Sequence, residues 1–293
     1  PVSHHLAASK AIDAALGIRH VTPTADVVRR LMHYGQILQS HALHFFHLSS
    51  PDLLFGFDSD ATRRNLLGVA AAHPHIARQG VLLRKFGQDV IGLTAGKKVH
   101  GTGSVPAGVN RHLSEAGRDG LRARLPEVVD WCEQAVDLVA QLHDADPALY
   151  ERFGHAPAPL LSLLAEDGAL ELYDGTLRVR DADGHILVAD HDPAQYLALI
   201  DEQVRPWSYM KFPYLRALGP ETGWYRVGPL ARVQNCERIA TPRAERRRAQ
   251  WRAGGGVQHG ALATHRARMI EMLHAAEVIG ALLDDPAATA GEL

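Results

Sequence analysis

Along most of this 293-residue chain apolar residues recur every three to four positions, the rhythm of helices that bury one face. In "SHHLAASKAIDAALG", residues 3–17, Leu6, Ala7, Ile12 and Leu16 keep that rhythm, with Ser3 as a candidate N-cap and Gly17 as a stop. Residues 22–50 carry Val28, Leu31, Met32, Ile37, Leu38, His41, Phe45 and Leu48 on one broad face. With Thr24 as cap and Pro51 as terminator, the pattern predicts one helix of about 25 residues, long enough to cross a domain. Further helices are predicted at about 60–72, 76–95, 113–124, 126–144, 193–204, 242–253 and 260–284. Residues 96–110, "GKKVHGTGSVPAGVN", break the pattern with four glycines and a proline, and read as a loop. Between 169 and 190 the period drops to two around the turn signals "YDG" and "DADG", which predicts a small antiparallel insertion. The expected fold class is mainly α, a core of long helices with that β insertion, read as a single domain over 1–293.

Composition narrows the function classes. At 46% hydrophobic and 22% charged residues the chain is an ordinary globule. Lysine plus arginine (31) nearly cancels aspartate plus glutamate (33), so no global field recruits nucleic acid or an anionic membrane. Neither an apolar run of about 18 residues nor a signal peptide is present, which makes a cytoplasmic location without a membrane span the default. The two cysteines, Cys132 and Cys236, cannot by themselves form a disulfide framework or a four-sulfur metal site. The chain opens at Pro1 without a methionine and has helical patterns close to both ends, so it reads as a piece of a longer one.

Three stretches invite chemistry. His41, His44 and His47 are spaced by three, and each consecutive pair shares a helix face, as metal ligands do. His41 and His47, however, stand about 240° apart on a wheel of 100° per residue, so the three do not converge and packing histidines are the simpler reading. The loop "GTGSVPAGVN" lacks the spacing of a dinucleotide fingerprint and the ending of a P-loop. The basic run "RAERRR" at 243–248 has no accompanying aromatic platform and reads as a solvated helix face.

The blocks "PVSHHLAASKA", "QSHALHFFHLSSPDLLFG", "KKVHGTGSVPAGVN", "WSYMKFPY" and "YRVGPLARVQNC", in this order, resemble the large subunit of nickel-iron hydrogenases, most nearly the bidirectional NAD-linked cytoplasmic type. The similarity covers essentially all 293 residues. It implies reversible oxidation of H2 to protons and electrons, which pass through an iron-sulfur small subunit to flavin- and NAD-binding diaphorase subunits, with NAD as acceptor. It also implies a nickel-iron centre held by two CxxC pairs, one before Pro1 and one beyond Leu293, so that no metal ligand and no bound cofactor is expected in these residues. As an internal fragment the chain is expected to be inactive and to fold poorly alone. His4 matches the family histidine beside a bridging sulfur, which it tunes by hydrogen bonding. Asp52 matches an acidic residue near the metals that pairs with an arginine beyond Leu293. Read without the family, His4 is a polar residue at a helix start and Asp52 a turn or cap residue. Two other readings stand beside this one: a hydrogenase linked to a deazaflavin or a heterodisulfide reductase, and a nickel-free scaffold of a respiratory complex.

Overall fold

The first predicted helix forms as α1 (Val2–Ala15) and buries Val2, Leu6, Ser9 and Asp13, one stripe at helical spacing, whereas Ala7, Ile12 and Leu16 of the expected apolar face are exposed. Gly17 follows with φ +73°, the left-handed conformation that suits a helix stop. α2 (Pro23–Ala42) is capped by Thr22, whose hydroxyl accepts from the Ala25 amide at 3.1 Å. Thr24, the cap expected from the sequence, lies buried inside the helix instead. The long helix also proves composite. After Ala42 the chain takes π-helical form over Leu43–Ser49 and then continues as α3 (Ser50–Phe55). Pro51 sits in the first turn of α3, where its missing N–H costs nothing, so it opens a helix where it was expected to end one.

α4 (Leu66–Ala72) starts later than its pattern suggests. The Asp60 carboxylate accepts from the Thr62 amide and hydroxyl and holds a turn, and Asn65 caps the helix through the Leu67 and Gly68 amides. α5 (Pro74–Ala95) ends at Gly96, again left-handed at φ +77°. The glycine loop contains a short hairpin of β1 (Ser104–Val105) and β2 (Gly108–Val109). α6 (Glu115–Arg122), capped by Ser114, and α7 (Leu125–Ala145) follow close to their predicted places. Across α1, α2 and α5, Val2, Met32, Ile91 and Ala95 form one buried cluster, and Ala25, Val28 and Val109 form another beneath the hairpin.

This computed structural model describes residues 2–291, and the chain divides into two compact units: one runs up to Leu142 and resumes at Met272, the other is His143–Glu271. The second unit begins with the end of α7 and an unanticipated α8 (Pro147–Arg152). Its sheet is wider than the predicted insertion. β3 (Leu160–Leu164), β4 (Thr176–Arg180) and β5 (Ile186–His191) pair antiparallel in that order, with residues 169–175 outside the strands. The helix predicted at 193–204 shrinks to α9 (Tyr196–Leu199), which passes into β6 (Ile200–Gln203), paired with β7 (Phe212–Leu215). α10 (Gly219–Thr222), α11 (Pro229–Asn235), α12 (Pro242–Arg252) and α13 (Ala263–Asp284) complete the elements, and α13 from Met272 onward belongs to the first unit.

The basic run on α12 is more than a solvated face. Arg248 is buried, donating from Nε to the Val233 carbonyl at 3.1 Å and from Nη2 to the Cys236 carbonyl, while Arg252 donates to the Gln234 carbonyl at 2.8 Å. These are the last carbonyls of α11 and its cap, which have no partner within their own helix. Glu245 neutralises Arg248 from one turn back, at 3.0 Å.

α2 and α5 pack at glycine. A Cβ on Gly87 would lie 2.6 Å from the Gly35 carbonyl oxygen and 2.7 Å from the Gln39 Cβ, and a Cβ on Gly80 would lie 2.3 Å from the Phe46 Cβ in the π segment. Because backbone cannot yield as a flexible side chain can, Gly87→Ala should destabilise the protein by about 1–3 kcal/mol. Chemical unfolding of the two proteins checks this; equal stability would mean that the helices separate freely.

Candidate functional site

Helix α1 carries the first candidate residue, and a buried ion pair sets its position. Arg29 of α2, 2% exposed, donates from Nη1 to Asp13 Oδ2 of α1 at 2.7 Å, from Nε to the Gly108 carbonyl at 3.1 Å and from Nη2 to the Val105 carbonyl at 2.7 Å. Asp13 Oδ1 in turn accepts from the Ala107 amide at 2.6 Å. Ala107 has φ +69°, a left-handed conformation that aims its amide inward. One arginine and one aspartate thereby tie α1, α2 and the β1–β2 hairpin together. Burial pushes the Asp13 pKa up, but the Ala107 amide and the Arg29 guanidinium outweigh it and hold the carboxyl below its ordinary value.

Two turns nearer the N-terminus, the Ser104 carbonyl is shared by the His5 ring at 2.8 Å and the Ser9 hydroxyl at 3.3 Å. Ser3 Oγ lies 3.2 Å from His33 Nδ1 of α2. His5 and Ser3 thus anchor the helix while His4, between them, faces solvent. Sequence reasoning passed over His5, because its partner lies 99 residues away. Asp52, in α3, is half-exposed, and its Oδ1 is 3.3 Å from Arg64 Nε. Arg64 also donates to the Phe57 carbonyl, so it straps the loop between α3 and α4. His4 and Asp52 therefore stand on different helices of the same unit.

The three spaced histidines do not share a ligand set among the described residues. His41 is buried, and His44 Nε2 lies 3.4 Å from Ser49 Oγ. Burial and the nearby Arg84 charge depress the His47 pKa, which leaves that ring neutral at pH 7. Asp181, Asp183 and His185 converge within 4.8 Å, but Asp181 Oδ1 already accepts from the Asp183 and His185 amides, each at 2.9 Å, in a surface turn. The cysteines do not fit a thiolate-bound centre. Both are buried, Cys132 in the first unit and Cys236 in the second. Burial pushes the Cys236 thiol up to about 11 and that of Cys132 higher still, so both are neutral thiols at pH 7.

Comparison with known proteins places this arrangement. The profile described as nickel-dependent hydrogenase matches residues 1–55, which hold α1, α2, the π segment and α3. The chain is 43% identical to the NAD-reducing hydrogenase HoxS subunit beta of Cupriavidus necator, covering 97% of this chain and 61% of that one. It is 37% identical to a chain of the F420-non-reducing hydrogenase vhu of Methanocaldococcus jannaschii, over 99% of this chain and 69% of the relative. A crystal structure of an NAD+-reducing [NiFe]-hydrogenase in the H2-reduced state superposes with a TM-score of 0.97 at 52% identity, covering all of this chain and 65% of the other. The chain belongs to the nickel-dependent hydrogenase family and has the fold of its large subunit. Among these relatives the NAD-reducing proteins are nearest, and the chain spans somewhat under two thirds of their length. No helix among the described residues is long and apolar enough to cross a membrane.

The ion pair generates a prediction of its own. Asp13→Asn leaves Arg29 a buried charge without its counter-ion, and should cost about 3–5 kcal/mol of stability. Because the folded pKa of Asp13 lies below its unfolded value, the stability it contributes is complete above about pH 4 and is lost as the pH falls through the depressed folded value. Unfolding curves between neutral pH and about pH 3 check both points. A variant whose loss of stability did not diminish in acid would show that Asp13 acts through packing and not charge.

Proposed function

We propose that the chain is the catalytic large-subunit portion of a nickel-iron hydrogenase that oxidises H2 reversibly and passes the electrons through an iron-sulfur small subunit to flavin- and NAD-binding partners in the cytoplasm. The observation that carries this reading is the 52% identity, over the whole of this chain, with an enzyme described as NAD+-reducing. The F420-non-reducing relatives stand further off at 37% and below, which favours the NAD-linked reading over a deazaflavin- or heterodisulfide-reductase-linked one. Membership in a nickel-dependent family weighs against a nickel-free scaffold.

The nickel-iron centre supplies the polarisation of H2 when bound. The roles proposed for these residues are positional. His4, on the exposed side of the first turn of α1, would hydrogen-bond a bridging thiolate and withdraw charge from it. Asp52 would hold a cation beside the metals, as its Oδ1 now stands 3.3 Å from Arg64 Nε. Partner docking is supported in the second unit by a run of exposed apolar side chains: Trp207 is 74% and Tyr209 98% exposed, with Val204, Met210 and Trp224 close in sequence and also exposed. Large apolar groups left exposed in one stretch of chain are what an interaction face would cover.

The test uses the full-length protein produced with its partner subunits and maturation machinery. Nickel in stoichiometric amount and H2-dependent reduction of NAD are expected; absence of both would remove the assignment. In the same assembly, His4→Ala and Asp52→Ala should each lower H2 turnover about 10–100-fold while nickel is retained. Unchanged turnover in either variant would return that residue to a purely structural role.

A further inference from the structure

Helices α5 and α6, with Lys98 after α5 and Arg124 after α6, form a recess of about 440 Å3 in the first unit, lined by Asp89, Leu93, Lys98, Gly120, Leu121 and Arg124 among others. Its charge is unbalanced. Three cations share the single Asp89 carboxylate: Lys85 Nζ at 2.8 Å, Arg124 Nη1 at 2.9 Å and Lys98 Nζ at 3.1 Å. Among the described residues no other carboxylate pairs with any of the three; Lys98 and Arg124 line the recess, so its lining carries one positive charge more than Asp89 balances. One cation would satisfy Asp89; three draw its pKa down despite partial burial and leave donors unused.

Arg124 is held for recognition. Its Cζ lies over the Phe86 ring, 5.1 Å from the ring centre, and Asp89 engages only Nη1. The remaining nitrogens form a fork suited to a carboxylate or phosphate, with the Lys98 ammonium alongside. Leu93, Leu121 and Ala116 supply an apolar wall. At Gly120 an added Cβ would meet no atom within 4 Å, so that side is open space and not a packed helix contact. The volume falls within the ordinary range of small-molecule sites.

We propose that this recess binds a small organic anion, a carboxylate or phosphate with an apolar body of about one ring, whose charged end meets Arg124 and Lys98 and whose body lies on Leu93 and Leu121. The inference does not depend on the hydrogenase reaction.

Equilibrium dialysis of the full-length assembled protein against phenyl phosphate and benzoate tests it, with inorganic phosphate and benzyl alcohol as controls. Saturable binding of at least one aromatic anion is expected, with little binding of the neutral alcohol, and the tighter of the two anions identifies the headgroup. Arg124→Gln should weaken binding about tenfold or more. Gly120→Leu should abolish it by filling the recess, and should leave the unfolding temperature unchanged or raised, since leucine is the better helix former. No saturable binding at millimolar concentrations would overturn the proposal. So would inorganic phosphate binding as tightly as phenyl phosphate, or binding indifferent to both substitutions.

Discussion

The first unit hangs on one buried guanidinium. Arg29 makes one hydrogen bond to α1 and two to the β1–β2 hairpin, and Asp13 adds a fourth link by accepting from Ala107. A buried ion pair seldom adds stability over a well-packed apolar pair, because desolvating both charges costs about what their attraction returns. Its effect here is geometric. The carbonyls of Val105 and Gly108 can reach Arg29 only if the hairpin turns back over α1 and α2, and Ala107 must adopt a left-handed backbone for its amide to reach Asp13. An apolar pair at positions 13 and 29 would fill the space but would leave those carbonyls and that amide buried without partners. The placement of the α1 N-terminus, and with it His4, follows from this network and from the His5 and Ser9 contacts to Ser104.

Beneath the clamp, α2 and α5 approach at Gly35 and Gly87, closer than any side chain permits. The π segment extends the same logic. It brings Phe46 onto Gly80, where the ring carbons occupy the volume a Cβ would need, and it buries Phe45 and Phe46 edge to face with ring centres 5.0 Å apart. A π-helix bonds five residues back and turns more slowly than an α-helix. It therefore places both phenylalanines inward while His44 and His47 take flanking positions, and Pro51 can start a fresh helical turn just after it.

The helices were legible because their apolar spacing is a local property. Leu6 of α1, or Leu31 and Leu38 of α2, lie on buried faces that their spacing marks without reference to the rest of the chain, although Ile12 and Leu16, read on the same stripe as Leu6, stand exposed. What escaped was anything decided across long separations. Asp13, Arg29 and Ala107 look unrelated in sequence, and a carboxylate at a buried helical position reads as a break in the apolar stripe until its partner is known. The π segment kept an α-like pattern, so one helix was read where three pieces run on. Residues 200–203 became a strand because β7 was available to pair with them, a tertiary opportunity that overrode local periodicity. The arginines of α12 looked solvated because the carbonyls they cap belong to α11. Of the candidate site, the family blocks pointed to His4 and Asp52, whereas the supporting contacts of His5, Ser3 and Arg64 needed the fold.

The same reasoning separates the two kinds of work a metalloenzyme chain performs. Binding soft metals requires ionised sulfur, and the two thiols here are buried where ionisation is strongly opposed. Positioning requires rigid polar groups whose own partners are fixed, and these residues supply many: Arg29 with Asp13, Arg248 with the end of α11, and the bidentate Arg232–Glu271 pair at 2.6 Å for both bonds. Each such group is held by carbonyls or carboxylates on another segment, so a shift of one element moves several polar contacts at once.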